Sequence, residues 1–311
     1  MEEKYLNFNL KVKNLFIGLC TGIAGLPTVL RELAYRVKWV EFNFQNSKDK
    51  IVKPELIFTS DKLQNTVMLE SKAGGNIEKE QHDRYCDVTK DDLRERAFIE
   101  PKCLNYVDIT YVVPEYVAEK ASSAFDKFSV GFPLLSISLK NIGLRKNSFS
   151  NAEVTSLFKA GLSINYEEIP CHFIPFDNES PVWIVAEKIV PIVLNFLYDN
   201  KSFFTSQEIL EKLIPMWSNL SNEEKREMRQ KVSKVLRISA EYEFKGFIRK
   251  NINITRRTHT DTWDIEVNPL KRKPSKRVRV WKQLQNRQKL FIERLKTGKR
   301  QSIQLDFFED L

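Results

Sequence analysis

Glu55, Glu70 and Lys72 are the residues of this chain whose types and spacing could do chemistry together. Pro54-Glu55 opens a short β-rich run to Thr59, and a second run, Thr66 to Lys72, follows the polar turn Ser60 to Asn65. In such a hairpin the strand ends carrying Glu55 and Glu70 lie side by side. Lys72 stands two residues past Glu70, so strand pleating puts both side chains on one face. Two carboxylates on rigid backbone suit a hard divalent cation, Mg²⁺ or Mn²⁺, that keeps several waters of its own. An ammonium beside them would orient one of those waters for attack on a phosphodiester. Asp61 is the alternative first acid, although it falls in the turn.

The surrounding elements must position these groups. Asn14 to Val37 reads as a glycine-interrupted helix, clearest from Leu26 to Val37, and Val37 to Phe44 alternates like a strand. The hairpin follows and is stopped by Ala73-Gly74-Gly75. Ile77 to Arg96 favours helix, Tyr106 to Val113 is a β-branched strand, Tyr116 to Phe128 a helix and Leu134 to Ser138 a strand. The order is that of a mixed α/β layer with helices covering a small sheet. On the helix after the glycines, Gln81 and Tyr85 are four residues apart and face the same way, toward the strand ends.

Pro54-Glu55, fourteen residues, Glu70-Ser71-Lys72 and then Gln81 with Tyr85 resembles the signature of the PD-(D/E)xK nuclease superfamily, in the branch that carries QxxxY. The resemblance covers about residues 15 to 140 and implies a restriction-endonuclease-like core, a small mixed sheet flanked by helices. It implies that Glu55 and Glu70 hold the metal and that Lys72 positions or activates the attacking water. Glu55 stands where the superfamily usually has aspartate. By analogy Glu32, on the opening helix, would supply a further carboxylate.

Other chemistries lack support. The chain has no GxxxxGK[ST] loop, no GxSxG elbow and no HExxH, and Cys20, Cys86, Cys103 and Cys171 form no CxxC pair. No run of about 18 apolar residues offers a membrane span, and the charged start is unlike a secretory signal, so a cytoplasmic protein is expected.

Beyond residue 150 the texture changes. Val182 to Tyr198 is an apolar helix, Thr205-Ser206-Gln207-Glu208 opens another, and Asn222 to Ala240 is a third. Two β-rich runs, Glu243 to Arg249 and Thr262 to Val267, flank a polar basic turn. Helices followed by a basic-tipped hairpin are the pattern of a winged helix, a mainly α domain. Lys225, Arg229, Lys231, Lys234 and Arg237 would form a basic strip on the third helix, and Arg256 and Arg257 a basic wing tip, both suited to DNA.

The net charge of +9 is concentrated. From Lys271 to Arg300 thirteen Lys or Arg face the single acid Glu293, which leaves residues 1–270 without net charge once the acidic last eleven residues are allowed for. Lys271, Arg272, Lys273, Lys276 and Arg277 make a basic linker for phosphate contact, followed by an amphipathic helix from Trp281 to Lys296. At the end, Gln304-Leu305-Asp306-Phe307-Phe308 resembles the peptide by which bacterial replication and repair proteins bind the DNA sliding clamp, with Gln304, Leu305, Phe307 and Phe308 as the binding residues.

These readings divide the chain into a nuclease-like domain (1–150), a winged-helix DNA-binding domain (151–270) and a basic, clamp-binding-like tail (271–311). The expected function is a metal-dependent DNA nuclease in defence, repair or mobile-element processing, with a companion ATPase or other subunit as a partner. The alternative is a DNA-binding regulator or assembly factor built on an inactive nuclease core.

Overall fold

The structure is a computed structural model, and it describes residues 7–23, 25–199, 201–254, 261–266 and 274–298. The chain divides into two compact units, Met1–Pro175 with Ile214–Lys225, and Phe176–Leu213 with Arg226–Leu311. It is a mixed α/β protein.

In the first unit α1 (Phe8–Thr21) and the short α2 (Val29–Glu32) precede β1 (Tyr35–Val40). The expected helix to Val37 therefore ends early. Ala34 adopts a left-handed conformation (φ 58°), which a helix cannot continue through, and the chain leaves it already extended. A two-stranded ribbon, β2 (Phe44–Gln45) with β3 (Ile51–Val52), leads to β4 (Leu56–Ser60), and β4 turns through residues 61–64 into β5 (Asn65–Ser71). The helix expected from Ile77 to Arg96 is two, α3 (Lys79–Cys86) and α4 (Lys90–Glu95). Thr89 and Asp92 form a reciprocal capping box that starts the second. Then follow β6 (Tyr106–Pro114), α5 (Ala118–Phe128), β7 (Leu134–Ile137), β8 (Asn141–Lys146), α6 (Ala152–Ala160) and β9 (Leu162–Ser163).

These strands make a seven-stranded sheet in the order β1-β4-β5-β6-β7-β8-β9. β1, β4 and β5 form an antiparallel meander, β5-β6 and β6-β7 are parallel, and the last pairs are antiparallel again. Parallel neighbours need crossovers, and α3 with α4 and then α5 supply them. Every residue of β5 is buried, as the central position of that strand requires. Met68, Ile57, Tyr111 and Val113 face a core completed by Tyr85, Ala118 and Phe125. Phe58 of β4 stacks on Phe16 of α1 at 6.0 Å. The boundary expected at 150 moves outward, since β9 extends this sheet and the unit continues to Pro175.

The second unit contains α7 (Val182–Tyr198), β10 (Phe203–Thr205), α8 (Ser206–Leu213), most of α9 (Asn222–Glu241), β11 (Ile248–Lys250), β12 (Thr262–Ile265) and α10 (Pro274–Thr297). Thr205 caps α8, its hydroxyl accepting from the Glu208 N–H at 3.1 Å while Glu208 Oε2 accepts from the Thr205 N–H at 2.9 Å. β10, absent from the sequence reading, pairs with β12 in a sheet ordered β10-β12-β11. The tail expected to be separate belongs to this unit in part. Leu284 and Phe291 of α10 are buried, and Arg294 clamps buried Glu243 with two bonds of 2.5 and 2.8 Å. Among the described residues no helix is long and apolar enough to cross a membrane.

Candidate active site at the end of the seven-stranded sheet

Glu70, the second-last residue of β5, is buried and is the most heavily bonded carboxylate of this region. Its Oε1 accepts from Gln81 Nε2 at 2.7 Å and lies 3.0 Å from Lys72 Nζ, while its Oε2 accepts from the Tyr85 hydroxyl at 2.7 Å. Helical spacing on α3 brings Gln81 and Tyr85 onto this one carboxylate, and strand alternation brings Lys72 to it. Burial, and next the charge of Glu70, pushes the Tyr85 phenol well above its ordinary value, so it remains a donor. Two buried polar atoms nearby have no hydrogen-bond partner among the described residues. They are Gln81 Oε1 and the hydroxyl of Tyr111, the residue paired with Glu70 in the β5-β6 register.

Glu55 lies beside this group but is held differently. Regular pleating would put it on the Glu70 face, because Leu56 pairs with Leu69. It sits instead in the bend before β4, and its Oε2 accepts from Ser71 Oγ at 2.6 Å, on the α1 face of the sheet. The two carboxylates therefore meet around the end of the sheet rather than over one face. They remain close enough to interact. Burial, opposed by Lys13 and reinforced by Glu70 and Glu41, pushes the Glu55 carboxyl well above the usual carboxylate range.

Glu32 does not join the cluster. It is exposed on α2, before Tyr35, and Tyr35 pairs with Ser60 at the opposite end of the sheet from Glu70. Its carboxylate accepts from Thr28 Oγ1 at 2.5 Å. Asp61 is at that far end too, 3.8 Å from Lys102.

The groups that sequence reasoning missed come from α1 and from the residue after β1. Lys13 Nζ is 2.6 Å from Glu41 Oε1 and is almost wholly buried. Glu41, in a left-handed conformation (φ 50°), donates its backbone N–H to the Glu55 carbonyl at 2.9 Å. The available signal was a lysine between Val12 and Asn14 on a mainly apolar helix, since a buried ammonium needs a partner.

The five cations expected to form a strip on α9 do not share a face. Arg229 and Lys231 are two residues apart, about 200° around a helix, and so point to opposite sides. Arg229 donates to Gln207 Oε1 at 3.3 Å, and Lys231 donates to the carbonyls of Asp177 at 3.0 Å and Asn178 at 2.5 Å. Lys225 lies over the Trp217 ring. Lys234 and Arg237 are exposed, and Arg226 shares their face. Arg256, Arg257, Lys271, Arg272, Lys273 and the tail with Gln304, Leu305, Phe307 and Phe308 lie outside the described residues. Lys276 and Arg277 fall within α10 rather than in a linker, and their side chains are likewise outside the description.

The MJECL32 domain family matches residues 9–174, more than half of the chain, and the protein belongs to that family. That span contains α1 from its second residue on, all seven strands of the sheet, and every residue of the Glu55–Glu70 cluster. No curated protein and no solved structure matches the chain.

Proposed function

We propose that the protein is a Mg²⁺- or Mn²⁺-dependent DNA nuclease of the PD-(D/E)xK type. The observation that carries this reading is the Glu70 carboxylate, held at once by Lys72, Gln81 and Tyr85. A salt-bridged surface pair would need none of this, whereas a ligand that must keep its place against a cation does. The order β1-β4-β5-β6, antiparallel then parallel with α3 and α4 crossing over, supports the restriction-endonuclease-like core.

The donor chemistry fits a hard cation. Among the described residues no three His, Cys, Asp or Glu side chains gather into a cage, and two carboxylates at strand ends are what a cation that keeps its own waters needs. The orphaned Gln81 Oε1 is an acceptor suited to such a water. When bound, the cation supplies charge to offset that developing on the phosphate and makes a water more acidic. Glu70 and Glu55 are the residues that would hold it. Lys72, fixed by Glu70, orients the attacking water and places a positive charge beside the scissile phosphate. Gln81 and Tyr85 fix the rotamer of Glu70 through both of its oxygens.

In the second unit the order α7, β10, α8, α9, β11, β12 with β10 paired to β12 supports a winged helix, with Arg226, Lys234 and Arg237 as its exposed basic face. The basic segment from Lys271 adds phosphate contacts, and the terminal Gln304-Leu305-Asp306-Phe307-Phe308 would tether the nuclease to a sliding clamp. We place the protein in the cytoplasm, acting in defence, repair or mobile-element processing together with a companion subunit.

Supercoiled and linear DNA incubated with Mg²⁺, Mn²⁺ or EDTA tests the reading. Cation-dependent cutting is expected from the natural protein and is expected to fall by at least about a hundredfold in Glu70→Ala and in Lys72→Ala, with DNA binding retained. Binding without cutting, under every cation, would favour a non-catalytic regulator instead.

A further inference from the structure

The two carboxylates are gripped from opposite faces of the sheet by helices using the same spacing. On one face α3 presents Gln81 and Tyr85, four residues apart, to Glu70. On the other, α1 presents Asn9 and Lys13, also four apart, toward Glu55. Each of the α1 residues reaches Glu55 through an intermediate group. Ser71 Oγ lies 2.6 Å from Glu55 Oε2 and 3.0 Å from Asn9 Oδ1, both of them acceptors. A hydroxyl has one hydrogen, and the shorter contact to a carboxylate commits it there. Asn9 Oδ1 is a second acceptor for the same hydroxyl at the longer distance, and it holds the Ser71 side chain in the orientation Glu55 needs. Lys13 acts on the backbone as well as by its charge. Its ammonium holds the Glu41 carboxylate at 2.6 Å, and the Glu41 N–H holds the Glu55 carbonyl at 2.9 Å.

Glu41 carries a conformational cost in this arrangement, since the left-handed region is disfavoured for a residue with a side chain. Strain of this kind persists where the surroundings over-determine it and gathers at functional sites. Burying Lys13 is a second cost that a hydrophobic residue would avoid. Both costs converge on the bend that carries Glu55.

We propose that Asn9 and Lys13 are positioning residues that set the Glu55 carboxylate for cation binding, Asn9 through Ser71 and Lys13 through Glu41. The inference rests on the hydrolytic reading of the site. It makes a prediction opposite to that of simple charge. Removing a nearby ammonium would by Coulomb attraction tighten a divalent cation, whereas loss of a positioning partner weakens it, typically by tenfold to a hundredfold.

Mn²⁺ binding to the full chain, followed by electron paramagnetic resonance, separates these outcomes without relying on activity. Asn9→Ala and Lys13→Met are each expected to raise the Mn²⁺ dissociation constant by roughly tenfold or more. Asn9 is only partly buried, so Asn9→Ala carries the test should Lys13→Met fail to fold. Unchanged or tighter Mn²⁺ binding in Asn9→Ala, beside measurable binding by the natural protein, would overturn the inference alone. No Mn²⁺ binding by the natural protein would overturn the hydrolytic reading, and this inference with it.

Discussion

At the scale of single residues, the site contrasts a carboxylate with many donors and one with few. Glu70 has three partners, while Glu55 has Ser71 and is otherwise surrounded by protein. A carboxyl whose proton is held more tightly in the folded chain contributes stability below the ordinary carboxyl range and loses it as pH rises through the raised value. Glu55→Gln cannot ionise, so in EDTA at neutral pH it should melt higher than the natural protein, by about 2–4 °C for each kcal/mol released. The gap should close as the pH falls to about 4. Thermal scans across that range check it, and a gap that does not change with pH would assign the effect to something other than ionisation. The contacts of Lys72, Gln81 and Tyr85 were legible in the sequence because regular pleat and helix periodicity carry backbone position through to side-chain direction. The turn of Glu55 toward Ser71 was not, because it happens in a bend where no period applies. Glu32 was misplaced for a related reason. It was assigned by analogy alone, on an opening helix whose expected course to Val37 is ended by the left-handed Ala34.

At the scale of elements, the long strands and helices announced themselves and the short ones did not. The β4-β5 hairpin, β6, α5 and α7 are runs of strongly patterned residues. β9 and β10, two and three residues long, carry too little pattern to be told from loop. The α10 helix illustrates how net charge alone misleads. Its cations suggested phosphate contact, yet Arg294 makes a two-pronged bond to Glu243, Arg287 donates to the Glu243 carbonyl at 2.7 Å, and Lys296 pairs with Glu187 at 2.6 Å. Removing one partner of a buried pair strands the other. Arg294→Met should therefore destabilise the second unit by about 3–5 kcal/mol, and adding Glu243→Leu should restore much of the loss. Denaturant melts of the two variants decide the point, and a single substitution without effect would reduce the pair to a surface contact.

At the scale of the whole molecule, charge separates by region, neutral over the first 270 residues and strongly basic over the next thirty. Cations on α9 belong to two classes, those tied to protein carbonyls and those left to solvent. Reversing Lys234 and Arg237 to Glu should weaken duplex binding and lower the slope of log affinity against log salt by roughly 0.9 for each phosphate no longer neutralised. Lys231→Gln should leave that slope unchanged. Binding isotherms at several salt concentrations measure both, and equal slopes throughout would remove α9 from the DNA interface. The path of the chain has a consequence of its own. Residues 214–225 return to the first unit after the second has begun. There Asn219 donates to the carbonyls of Val37 and Lys38, and Leu220 bridges to Val40 along the outer strand of the sheet. A protein cut after Pro175 would lack this cover and present an open strand edge to its neighbours, an invitation to aggregate. The sheet that carries the Glu55–Glu70 cluster is thus no detachable cassette. Recombination could exchange the second half only by leaving that returning dozen residues behind, so inheritance of the two halves is bound together by a stitch of chain.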